Sequence, residues 1–149
     1  MPGASRDPDA TPAALARERV LDSHRETVGT VLRCADAVAD SWDGGSTADP
    51  AALADPLRAG LDAAGAWRRL PEALADAVDA TGESLSAHPV AAPPYVVATS
   101  RGPMLRATLS EGRLVVLLRA FEIERAPNEP PRYRRGPQSP ADAVRATFK

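Results

Sequence analysis

The amino-acid sequence predicts an α+β fold, with N-terminal helices packed on a C-terminal antiparallel meander of three to four strands. Three observations carry this. Apolar residues recur at helical spacing through the first 88 residues, β-formers dominate after a proline-rich spacer, and short glycine-containing turns divide the later runs. The chain has 149 residues, 44% hydrophobic and 26% charged, enough for one globular domain. That domain is expected over 11–149, with a helical part at 11–88 and a β part at 95–149.

Residues 1–10 hold two prolines, a glycine and alternating charge, and read as a disordered lead-in. They lack an apolar core, so no cleaved secretory leader is expected. Thr11-Pro12 pairs a capping hydroxyl with a residue suited to the first helical position. A long helix follows over about 12–42. Leu21, Val28, Ala35 and Trp42 recur every seven residues, with His24, Val31 and Val38 between them, so one face is apolar. Asp43-Gly44-Gly45-Ser46-Thr47 stops it. Asp49-Pro50 and Asp55-Pro56 restart helical structure, giving a helix over about 56–64 with Gly65 in the left-handed position after it. Leu70-Pro71-Glu72 opens a third helix over about 71–87, weakened by Gly82 and ended by His88-Pro89.

Pro89, Pro93 and Pro94 then make an extended spacer. Strands are predicted at 95–100 and 104–109, the second alternating Leu105, Ala107 and Leu109 with Arg106 and Thr108. The turn Ser110-Glu111-Gly112 leads into a long strand over 113–125. Its stretch 114–118 is apolar at every position, which predicts a central place with cover on both faces. A proline-rich loop follows at 126–140, in which 132–135 fits a short edge strand. Val144, Ala146 and Phe148 fit a closing strand, while Val144 and Phe148 also fit a helix face.

Charge divides the chain. Residues 1–88 hold 8 Arg and 15 acids, whereas 89–149 hold 9 Arg, one Lys and 5 acids. Such asymmetry points to an anionic partner or to the basic half lying beside the protein's own acidic helices. Arg132-Tyr133-Arg134-Arg135 is the tightest cluster, and with Arg106 and Arg113 it forms a candidate nucleic-acid surface. The aromatics are too few for a broad stacking platform. A small-molecule site is the other possibility, built where Tyr95, Arg101, Arg119 and the pair Glu122 and Glu124 converge.

Other chemistry finds little material. Cys34 is the one cysteine, which excludes an intrachain disulfide and a multi-cysteine zinc site. Neither His24 nor His88 has a second histidine at i+4, so no metal is expected. His24 reads as a stripe residue with one hydrogen bond, Cys34 as an inert thiol beside the stripe, and His88 as a helix-end residue. Ser23 and His24 point about 100° apart on a helix, which rules out a local nucleophile–base pair. No catalytic residue and no cofactor are expected. No apolar run approaches the roughly 20 residues of a membrane span.

The string from His88-Pro89-Val90 through Tyr95-Val96-Val97 to Arg101-Gly102-Pro103, with the hairpin Leu105-Arg106-Ala107 to Leu114-Val115-Val116, resembles small uncharacterised proteins of haloarchaea. The resemblance implies a cytoplasmic protein from a salt-loving archaeon and carries over no functional residue. The sequence therefore points first to a non-enzymatic binding or accessory module acting through protein–protein contacts or self-association. A nucleic-acid-associated factor and a small-molecule-binding domain or enzyme at the sheet face are the alternatives.

Overall fold

The computed structural model describes residues 10–149, so the lead-in expected at 1–10 lies almost entirely outside the described residues. Helix α1 (Pro12–Ser23) begins as its sequence predicts, with Pro12 in the first turn and Thr11 Oγ1 accepting the Ala14 N–H at 3.1 Å. Helix α2 (Arg25–Asp40) follows after a break. The expected continuous helix is two helices because His24 leaves helical geometry, at φ −129° and ψ 23°. Its ring turns to helix α4 (Leu70–Ala80), where Nε2 donates to Asp76 Oδ2 at 2.6 Å. The break lets one heptad stripe serve two neighbours. Val20 and Leu21 on α1 and Val28, Val31 and Ala35 on α2 are all buried, while α1 packs on α4 and strand β7 (Val144–Phe148) and α2 packs on helix α3 (Ala54–Ala63).

A two-residue strand β1 (Ser46–Thr47) and a 3-10 turn at Pro50–Ala52 lead into α3 (Ala54–Ala63). Asp49 caps that 3-10 turn, not the helix itself: Oδ1 accepts the Ala51 N–H at 3.0 Å. Helix α4 (Leu70–Ala80) ends seven residues short of the expected 87. Thr81 Oγ1 bonds back to Val78 O at 2.6 Å, and Gly82 takes φ 88°, which glycine adopts at low cost. The chain from 83 to 95 then runs without helix or strand past one end of the sheet.

Strands β2 (Val96–Thr99), β3 (Gly102–Leu109) and β4 (Gly112–Leu118) form an antiparallel meander. The predicted strand 113–125 is divided. After β4 the chain turns at Arg119 and continues as β5 (Phe121–Glu124), which pairs with β6 (Arg132–Arg135) in a second sheet of order β1-β6-β5. Arg101 O fixes the corner by accepting from Ala120 N at 2.7 Å and Phe121 N at 3.1 Å. A short helix α5 (Pro140–Ala143), capped by Ser139, leads into β7 (Val144–Phe148). The last segment is thus a strand after one helical turn, and it closes the order β2-β3-β4-β7.

Leu105, Ala107 and Leu109 of β3 and Leu114, Val116 and Leu118 of β4 face the helices and are buried with them in one core. Arg17 of α1 ties this layer together, donating to the carbonyls of Val144 and Ala141. Only one face of β4 is covered, contrary to the expectation of cover on both. Val115 and Leu117 on its other face are half-buried and lie outside the core cluster.

Candidate functional site

The cluster Arg132–Arg135 is the place to begin, and alternation along β6 splits it. Arg132 and Arg134 are exposed, whereas Tyr133 and Arg135 turn inward. Arg132 donates to Ser46 Oγ at 3.0 Å and Ser46 O at 3.2 Å, joining β6 to β1. Arg134 pairs with Glu124 at 2.7 Å and Glu122 at 3.9 Å, so the two glutamates share a face with a guanidinium between them. The Arg135 side chain is only 11% exposed. It donates to Asp36 Oδ1 at 2.7 Å, Pro137 O at 2.8 Å, Ala120 O at 2.9 Å and Leu32 O at 3.2 Å. These arginines tie β6 to β1 and hold the second sheet to α2. The five arginines grouped as a nucleic-acid surface therefore occupy two different sheets, with Arg106 on β3 and Arg113 on β4.

The small-molecule set does not gather either. Tyr95 precedes β2, Arg101 lies in the β2–β3 turn with its buried Nε unpaired, and Arg119 points toward Asp142 O at 3.5 Å. His24 bonds Asp76 on α4, Cys34 lies against Gly60 of α3, and His88 sits 3.9 Å from Glu72. These three are held by separate neighbours. Burial raises the Cys34 pKa, opposed by the nearby Arg33 charge, so the thiol stays protonated. Among the described residues no group of three or more His, Cys, Asp and Glu side chains converges as a metal site.

What the fold does bring together is Tyr95, Arg106 and Arg113, around a cleft of about 510 Å³ at the turn end of the β3–β4 hairpin. The floor is the outer face of β3 and β4, through Arg106, Thr108 and Arg113, and one wall is the irregular segment 84–87. Thr108 pairs with Arg113 and Arg106 with Val115, which places the two arginines diagonally on one face. Ser110 Oγ donates to Glu83 Oε1 at 2.6 Å and fastens the hairpin turn to the wall.

The same register arranges the rest of the outer face in rows. Val97, Met104, Leu117 and Arg145 form one row across the four strands. Arg106, Val115 and Thr147 form the next, and Thr108 and Arg113 the one beyond, beside Lys149. The face is apolar through Val97, Met104 and Leu117 and basic in the rows beyond them and along β7. No Asp or Glu occurs in any of the four strands, and Arg106, Arg113, Arg145 and Lys149 have no ion-pair partner among the described residues. Sequence reasoning found Arg106, Arg113 and Tyr95 but not Ser84, Ser86, Thr108, Arg145 or Lys149. Two signals were available: the two-residue Ser110-Glu111 turn sets the register, and Gly82 releases 84–87 from the helix.

The chain is thus an α+β protein whose four-stranded sheet carries helices on one side and a basic, partly apolar surface on the other. It belongs to the family described as a domain of unknown function, DUF7988, whose model matches residues 14–149. No curated protein and no solved structure matches it. Among the described residues no helix is long and apolar enough to cross a membrane.

Proposed function

We propose that this protein is a non-enzymatic binding module whose working surface is the outer face of the four-stranded sheet, and that its partner is an acidic protein. One observation carries the reading: an apolar row of Val97, Met104 and Leu117 adjoins unpaired Arg106, Arg113, Arg145 and Lys149, with no acidic residue in the strands. A partner presenting apolar side chains beside carboxylates complements both ends of such a face. Nucleic acid complements the basic end alone, and Tyr95 is the one aromatic residue that lines the cleft there. The scarcity of cysteine and the resemblance of the central segment support a cytoplasmic protein of a salt-adapted archaeon.

The test uses the tagged protein, its Leu117→Glu and Arg113→Glu variants, and an Arg125→Glu control outside the sheet, as baits in source-cell extract treated with nuclease. An acidic protein is expected on the wild type and the control, reduced at least about tenfold on both face variants. Binding reconstituted from purified components then weakens as salt rises. Nuclease-sensitive capture overturns the reading in favour of nucleic acid. A dimer by light scattering that Leu117→Glu dissociates overturns it in favour of self-association.

A further inference from the structure

We propose that the cleft between the hairpin floor and segment 84–87 binds a small organic phosphate monoester, its dianionic head held by Arg106 and Arg113. This goes beyond the partner-binding reading, although both use the two arginines. Their diagonal places on adjacent strands put the two residues about 7–8 Å apart. That spacing lets two guanidiniums close on one tetrahedral anion from two sides, each offering paired N–H donors. No Asp or Glu lines the cleft, and neighbouring Glu83 is engaged by Ser110. Two positive charges therefore face the cavity with no carboxylate in its lining, which suits a dianion.

The backbone adds to this. Arg106 N–H donates to Tyr95 O at 2.8 Å, across the edge of β3 that faces β2. Alternation directs the Thr108 N–H to the same edge, beyond the start of β2, and none of the backbone hydrogen bonds described there engages it. This leaves a preset donor at the cleft floor. Ser84 and Ser86 add hydroxyls from the wall. The rest of the lining is apolar or aromatic, from Leu85, Pro94 and Tyr95, and gives a ligand's organic body a surface to lie on. A volume of about 510 Å³ is in the range of small-ligand sites.

The test is titration of the ¹⁵N-labelled full chain at low salt and pH 7.5, where a phosphate monoester is mostly dianionic. Phenyl phosphate, inorganic phosphate and benzoate are the probes. Phenyl phosphate is expected to shift the Thr108 amide saturably in the millimolar range or below. Inorganic phosphate binds more weakly for want of an organic body, and benzoate more weakly still for want of the second charge. Arg106→Gln and Arg113→Gln each weaken phenyl phosphate about tenfold to a hundredfold, as loss of a charge-assisted hydrogen bond does. Leu117→Gln, which disturbs partner docking without placing a carboxylate diagonal to Arg106, leaves this binding unchanged, so the two readings fail separately. The amide dispersion of each variant reports in the same spectra that it is folded. Linear shifts spread over all the basic residues, equal affinity for benzoate, or indifference to both arginine variants would overturn the proposal.

Discussion

Replacing Arg135 by Ala is the sharpest test of the structural role assigned to the arginine cluster. The guanidinium lies 11% exposed and makes four hydrogen bonds, three of them to the carbonyls of Leu32, Ala120 and Pro137. Asp36, its ionic partner, is half-exposed, so that pair contributes less than about 1 kcal/mol. The carbonyl bonds matter more, because removing the donor leaves buried acceptors whose access to water is restricted. Losing one member of a buried charged network costs about 3–5 kcal/mol, and the lower end applies here because Asp36 can rehydrate. An expected loss of about 3 kcal/mol, with a urea slope of about 2 kcal/mol/M, lowers the unfolding midpoint by about 1.5 M. Arg135→Lys keeps the charge but loses the fork and recovers only part of that loss. Arg132→Ala and Arg134→Ala, on the exposed face of the same strand, are expected to cost less than about 1 kcal/mol each. Urea denaturation of the four variants checks the order. A loss below about 0.5 kcal/mol for Arg135→Ala would refute the assignment, since deletions at uncommitted surface sites stay in that range.

Gly102→Ala is expected to cost more than about 4 kcal/mol or to abolish folding, because Gly102 holds φ 139° and a Cβ there would collide with the Leu118 carbonyl. Gly82→Ala, where a Cβ meets nothing within 4 Å, should cost only about 1–2 kcal/mol through its φ of 88°; melting curves of the two variants make the comparison. Alkylation of Cys34 at pH 8 should be slower in the native protein than in the urea-unfolded chain, because burial raises its pKa in the fold. The unfolded thiol ionises first, so stability should fall as pH rises from about the unfolded value toward the raised folded one, and alkylation equal in native and urea-unfolded protein would contradict the burial. Leu117→Glu should cost about 1–2 kcal/mol, since the half-buried side chain lies outside the core, and a loss above about 4 kcal/mol would show that face to be covered.

The α+β order, the N-cap at Thr11, the left-handed Gly65 and the Ser110-Glu111 hairpin turn were legible because each depends on a few adjacent residues. The break at His24 was not, since nothing local interrupts the stripe. The chain departs from the helix where the ring reaches Asp76, more than fifty positions away. The division of 113–125 had the same kind of cause, a corner fixed by Arg101 O. Continuous apolar character at 114–118 predicted cover on both faces, and half of that inference held: Leu114, Val116 and Leu118 meet the helices, whereas Val115 and Leu117 face outward. The candidate site was half legible. Arg106 and Arg113 stood out by charge, but Arg132–Arg135 stood out more, and only register and hydrogen-bond partners separate structural arginines from unengaged ones.

The ion pairs bear on the two pictures of the charge split that composition alone left open. A basic sheet neutralised by the protein's own acidic helices requires ion pairs across the two halves. Among the described residues one such pair forms, Arg135 with Asp36, while Arg134 pairs within its own sheet and Arg19 and Arg58 within the helical half. The fold is thus held mainly by its shared apolar core, and the basic outer face stays electrostatically unsatisfied. Salt separates the consequences. Raising ionic strength from 0.1 to 1 M shortens the screening length from about 10 Å to about 3 Å. Stability in urea should then change by less than about 1 kcal/mol, since the exposed pairs contribute little and the buried Arg135 network is poorly screened. Phenyl phosphate binding should weaken about tenfold or more over the same range, because its attraction comes from two solvent-facing guanidiniums. A steep loss of stability with unchanged binding would reverse the picture and make the sheet's positive charge part of what holds the helices in place.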